Sequence, residues 1–414
     1  MTDFIERTKR FTGRRLIVLL VVVCMLPSGM IWGQQEPKLH FDALVADTHN
    51  DILTTICTDS TVDIGRDMTG KTYSDLARFK KGGLDWQIFS VWCDGNMKDP
   101  YQWANREIDS LYSLVKRNPG QIEIAYTAAD VKRIWKSKKI VAMTGVEGGH
   151  MIEDDLDKLN KLYDRGVRYM TLTWNNSTAW ATSAMDETAS PQPLPKEGEP
   201  IRKKGLTDFG KSVVRRMNEL GMMVDLSHVG EQTFWDAIQT TTKPVLVSHS
   251  CAWTLCPVFR NLKDEQIKAV GKNGGVICVN FFSGFVDSTF MPRAEAFNKR
   301  HQAERDSILK TVSDPYFADT YLFTKYREEV EALRPPLSML IDHIDYMVKL
   351  AGVDHVGLGS DFDGINSSPK ELDDVTTYPV ITKALLARGY SKKDIRKILG
   401  GNLMRVFEKN NPAR

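Results

Sequence analysis

KIVAMTGVEGGHMIEDDLDKLNKLYDRGVRYMTLTW, residues 139–174, reads as strand, loop, helix and strand. Its first run, KIVAMTGV (139–146), is apolar almost without alternation, the pattern of a parallel strand covered on both faces. A polar loop with Glu147 and His150 follows, then DDLDKLNKLYD (154–164) with its leucines at helical spacing, then a second apolar run, VRYMTLTW (167–174).

The same rhythm extends in both directions. Upstream lie ALVAD (43–47) and WQIFSVW (86–92); downstream lie MMVDLSH (222–228), PVLVSH (244–249), GVICVNFF (275–282) and HVGLGSDF (355–362). Helical patterns separate them at 206–220, 263–272 and 337–351, and Thr207 before Asp208, with apolar Phe209, Val213, Val214 and Met217, marks one helix start. Eight alternations of strand and helix predict an α/β fold, a closed (β/α)8 TIM barrel of the metal-dependent hydrolase type. A doubly wound open sheet is the runner-up, weakened because no Gly-x-Gly-x-x-Gly follows the first run. Residues at about 283–336 form an excursion between runs seven and eight, expected to cover the mouth or make a subunit contact. No composition break marks a second domain, so 34–414 is read as a single catalytic barrel.

The chain has 414 residues, 42% hydrophobic and 26% charged, which excludes a disordered protein. Its 55 basic residues stand against 53 acidic ones, and 50 against 51 once the first 33 positions are set aside. Such a balance gives no general pull on nucleic acid or an anionic membrane. Those first positions carry Arg7, Lys9, Arg10, Arg14 and Arg15, then the apolar run Leu16 to Leu26, then Pro27-Ser28-Gly29. That order is a secretory signal over 1–33, with export to a periplasmic or extracellular space; an uncleaved membrane anchor is the lesser alternative. No later segment is apolar for long enough to span a bilayer. The five cysteines after the leader (Cys57, Cys93, Cys251, Cys256 and Cys278) are odd in number and lack the spacing of a zinc knuckle.

The rare residues fall at the ends of the runs. His49, His228 and His249 close runs one, five and six, or stand just past them; Asp51, Glu147 and Asp361 stand at the ends of runs one, three and eight. The carboxyl ends of barrel strands share one mouth, so these six groups are expected to converge there. His-x-Asp at 49 and 51 points two ligands to one side, His228 and His249 come from neighbouring strands, and the Glu147 carboxylate can span two ions. Run four offers no lysine as an alternative bridge. The set suits two zinc ions, or cobalt or manganese in their place.

DTHND (47–51), GVEGGH (145–150), DLSHV (225–229), PVLVSHS (244–250), FRN (259–261) and GLGSDFDG (357–364) together resemble the membrane dipeptidase, or renal dipeptidase-like, family of zinc peptidases, over about residues 42–408. The resemblance implies a binuclear zinc barrel that hydrolyses dipeptides, some with a D residue at the carboxyl end, and a homodimer. One zinc falls to His49, Asp51 and Glu147, the other to Glu147, His228 and His249. Arg260 corresponds to the arginine that takes the substrate's terminal carboxylate, and Asp361 to the acid that moves the proton of a metal-bridging hydroxide. Trp174 stands where the renal type has a substrate-facing histidine, so that role passes to Asn175 or Asn176 or is weakened, and Phe285 stands where it has a tyrosine. Two rivals are an amidohydrolase acting on N-acyl amino acids and a catalytically silent secreted binding protein.

Overall fold

A computed structural model describes residues 38–188, 204–311 and 315–411; the leader read over 1–33 lies outside them. Every apolar run forms a strand, six of them shorter than the run itself: β1 (Ala46–Asp47), β2 (Trp86–Trp92), β4 (Ile140–Glu147), β5 (Val167–Thr171), β6 (Met223–Asp225), β7 (Leu246–Val247), β8 (Val276–Val279) and β9 (Val356–Leu358). An additional strand, β3 (Ile122–Ile124), was not expected. It pairs with Ile140–Ala142, beside the lower part of β4, whose upper part pairs with β5 from Thr144 onward.

All these pairings are parallel, in the order β1, β2, β4, β5, β6, β7, β8, β9. The ring closes where Thr48 N donates to Leu358 O (3.1 Å) and Asp361 N to His49 O (3.1 Å), with a further parallel bridge between Asn50 and Phe362. The structure is therefore the (β/α)8 barrel that the rhythm predicts. Alternate strand residues build two cores. Trp86, Ile88, Met143, Tyr169, Met223 and Cys278 belong to one, together with Leu403, Val406 and Phe407 of the last helix, Asn402–Asn410. Phe89, Val91, Val146, Val224 and Val279 pack in the larger core with the surrounding helices. The helix at Asp208–Leu220 starts where its sequence says: the Thr207 hydroxyl accepts from Gly210 N, and Gly221 at φ 86° ends it.

The excursion holds helices Ser283–Val286, Phe290–Arg300, Gln302–Leu309, Pro315–Lys325 and Arg327–Glu331 around a small core of Phe290, Phe297, Leu322 and Phe323. It grips the loop after β9: Ser283 N donates to Ser367 O (2.9 Å), Arg334 Nε to Ser368 O (2.8 Å) and the Tyr316 hydroxyl to Gly364 O (2.8 Å). Among the described residues no helix is long and apolar enough to cross a membrane.

Candidate active site

Most site residues sit at the last position of a strand or within three residues of its end. Glu147 is the last residue of β4; His49 and His249 lie two residues past β1 and β7; His228 and Asp361 lie three past β6 and β9. His228 and Asp361 have φ of 63° and 64°, a left-handed conformation uncommon for such residues that turns the chain sharply at the mouth.

The side chains converge. Glu147 Oε1 is 2.8 Å from His228 Nε2 and 3.4 Å from His249 Nε2, and Oε2 is 3.2 Å from His49 Nε2. Asp51 Oδ2 is 3.5 Å from His49 Nε2, while Asp51 Oδ1 is buried with no hydrogen-bond partner. His49, Asp51 and Asp361 form a second compact group of ligand atoms beside His49, Glu147 and His249.

The outer imidazole nitrogens decide what the inner ones offer. His49 Nδ1 meets the Tyr169 hydroxyl at 2.9 Å, and that hydroxyl donates to Thr48 O. His249 Nδ1 meets Ser248 Oγ at 2.8 Å, which donates to Asp225 Oδ2 at 2.6 Å. His228 Nδ1 faces Asn175 Oδ1 at 3.0 Å. All three outer nitrogens are thus the protonated ones, and the Nε2 lone pairs point inward. Two of them, on His228 and His249, are 2.9 Å apart. Facing lone pairs, an orphaned carboxylate oxygen and a central Glu147 make a donor set that fits divalent transition cations.

The electrostatics agree. Burial, then the Arg260 charge, pushes His228 down to about 3, and burial holds His249 well below the usual imidazole range. Burial would lower His49 too, but Tyr169, Glu147 and Asp51 more than reverse it, so this corner of the site favours a positive charge. Burial lifts Asp361 well above the carboxylate range, and Asp51 and Glu147 add to the lift, against His49 and the amide of Asn280, which donates to Asp361 Oδ2 at 2.9 Å.

Arg260 is only 4% exposed. Its guanidinium meets Ser250 Oγ (3.4 Å) and His249 O (3.2 Å) and lies 5.3 Å from the Phe285 ring, yet among the described residues no carboxylate lies within 4.0 Å of it. It borders a cavity of about 150 Å³ that is also lined by His228, Trp253, Phe259 and Lys204. Lys204, whose ammonium donates to Glu187 O, is a weaker candidate anion partner there, and Lys203 lies outside the described residues.

The residues around position 174 divide. The Trp174 ring is 5.1 Å from Trp92 and 6.4 Å from His228, at the edge of the metal-ligand set. Asn175 spends its side-chain oxygen on His228, whereas Asn176 turns toward Gly95. His150 packs against Gly148, with Nε2 3.2 Å from Cys93 O.

Several working residues escaped the sequence reading: Tyr169, Ser248 and Asn280, and the buried acids Asp47 and Asp225. Asp47 accepts from His49 N (3.1 Å), Ser360 N (2.9 Å) and the Tyr378 hydroxyl, tying β1 to β9. Asp225 accepts from Ser227 N (3.2 Å) and Ser248 N (2.8 Å), tying β6 to β7. An acid inside an apolar run is costly unless it is hydrogen-bonded, and that signal was present in ALVAD and MMVDLSH.

The sequence profile described as membrane dipeptidase (peptidase family M19) matches residues 34–414. Three solved structures share the fold. The probable dipeptidase PvdM from Pseudomonas aeruginosa is 25% identical, with 93% of this chain and 99% of that chain covered and a TM-score of 0.72. A metallo peptidase described as dipeptidase AC is 24% identical over 90% and 99%, with a TM-score of 0.71. A metallo peptidase from Rhodobacter sphaeroides, liganded with a phosphinate mimic of the dipeptide L-Ala-D-Ala, is 22% identical over 89% and 99%, also at 0.71.

Proposed function

The chain belongs to the membrane dipeptidase family, peptidase family M19, and from that premise we propose that it is a binuclear zinc dipeptidase, exported and freed of its leader. His49, Asp51 and Glu147 would hold one ion and Glu147, His228 and His249 the other. When bound, the ions supply Lewis acidity that activates water and polarises the scissile carbonyl.

The chain's own residues do the rest. Arg260 pairs with the terminal carboxylate of the substrate and so fixes the cut one residue from that end. Asp361, steadied by Asn280, takes the proton of the attacking water and returns it to the leaving amine. Asn175, Tyr169 and Ser248 hold three imidazoles in the tautomer that presents Nε2, and the Trp174 indole can donate a hydrogen bond near the developing oxyanion but cannot become a cation. Tolerance of a D residue beside the carboxylate is part of the same proposal, supported by the L-Ala-D-Ala mimic held by the Rhodobacter sphaeroides relative.

The observation that carries this reading is Arg260, a buried guanidinium without an acid partner among the described residues, lining the same cavity as His228. A dipeptide should therefore outperform its carboxamide by roughly 30-fold in kcat/KM, and Arg260→Met should erase the difference. Equal hydrolysis of both by the wild type, or a preference kept by R260M, would remove the anchor from Arg260. N-acyl amino acids outperforming every dipeptide would shift the reading to an acylase. Export has its own check: intact-mass analysis from the native host should give a chain beginning near Gln34, and a soluble species retaining Met1 would contradict it.

A further inference from the structure

The ligand cluster has two ends. Arg260 touches His249 O at one of them; Asp51 and Asp361 gather around His49 at the other. A dipeptide whose carboxylate sits on Arg260 and whose carbonyl lies over the cluster must extend its amino-terminal residue toward the two acids. What meets that residue there comes from the excursion. A Cβ added to Gly364 would lie 2.1 Å from Asp51 Oδ2 and 2.7 Å from Asp361 Oδ1, so this glycine sits directly against both acids. The hydroxyl of Tyr316 donates to Gly364 O at 2.8 Å. Its hydroxyl is anchored in a buried setting, and the residue as a whole is 39% exposed. Phe317 packs beside it, ring centroids 5.8 Å apart, and is 54% exposed. The two acids at this end thus have Gly364 against them and the Tyr316 side chain latched to that glycine.

We propose that Tyr316, carried in by the excursion and latched to Gly364, is the specificity-determining residue for the amino-terminal side of the substrate, and that it selects dipeptides with a bulky apolar first side chain. The proposal rests on the dipeptidase reading above. The ring supplies the contact surface and the hydroxyl sets its position, so the two contributions are separable.

The test compares Phe-Ala with Gly-Ala as substrates of the metal-loaded full-length protein. Wild type should favour Phe-Ala, and Tyr316→Ala should reduce the ratio of the two kcat/KM values roughly tenfold, through KM. Tyr316→Phe keeps the ring and should keep most of the preference. Tyr321→Ala, five residues further along the same helix and on another face, should leave the ratio as in wild type, and equal metal content in all variants excludes a collapsed site. A wild type indifferent to the first side chain, a Y316A variant with an unchanged ratio, or a loss confined to kcat and equal for both substrates would overturn the proposal. If wild type cleaves Gly-Ala but without preference, only this inference falls; if it cleaves neither, the dipeptidase reading falls and takes the inference with it.

Discussion

Asp361 shares a corner with Asp51 and His49, and its carboxyl is close enough to them to serve as a ligand. Its contact with Asn280, whose amide donates to Oδ2, fits proton transfer instead. The two roles separate in one variant: Asp361→Asn should keep both ions and lose about 10²- to 10⁴-fold in kcat, whereas a fall in metal content by elemental analysis would make it a ligand. At this scale the sequence was legible where an ionisable side chain stood at or just past the end of an apolar run, as His49, Glu147, His228, His249 and Asp361 do, but not where it lay within one, as Asp47 and Asp225 do. It was silent about Tyr169 and Ser248, because a neutral hydroxyl in an apolar run leaves no charge signature. It also left open what Asn175 does, since a loop amide's direction is set by the strands on either side of it, here by His228 from β6.

The elements around the mouth are stapled by buried polar groups, and Glu107 is one of them. It projects from helix Pro100–Arg117, accepts from Thr54 Oγ1 (2.8 Å) and from Trp92 N (2.7 Å), and so joins the helix Ile52–Thr58 to the end of β2. Burial pushes its carboxyl up to about 8. Between the ordinary carboxyl range and pH of about 8 the unfolded chain has released this proton and the folded chain has not. Stability from this group is therefore fully present below that window and falls as pH rises through it, at up to about 1.4 kcal/mol per pH unit. Glu107→Gln keeps the shape without the titration, so denaturation at pH 5 and pH 8 should show the variant gaining on wild type at the higher pH. Parallel stabilities would contradict that account. The strands were readable because each is buried on both faces. β3 was not, because Ile122–Ile124 is the length of a turn and becomes a strand only when the lower part of β4 offers it an edge.

For the whole molecule, eight apolar runs without a Gly-x-Gly-x-x-Gly favoured the barrel over a doubly wound open sheet, and the closing bonds between the ends of β1 and β9 decide it, which puts residues 49 to 361 at one mouth. The excursion was legible as an insertion but not in what it touches: its grip on the loop after β9 depends on single contacts such as Tyr316 to Gly364 that no periodicity announces. The proposed bridge, one carboxylate of Glu147 serving two ions at once, is open to elemental analysis of purified wild type and Glu147→Gln. Wild type should hold two transition-metal ions per chain and E147Q should lose ions from both positions, with the fold intact by circular dichroism. An E147Q protein that still holds two ions per chain would contradict it.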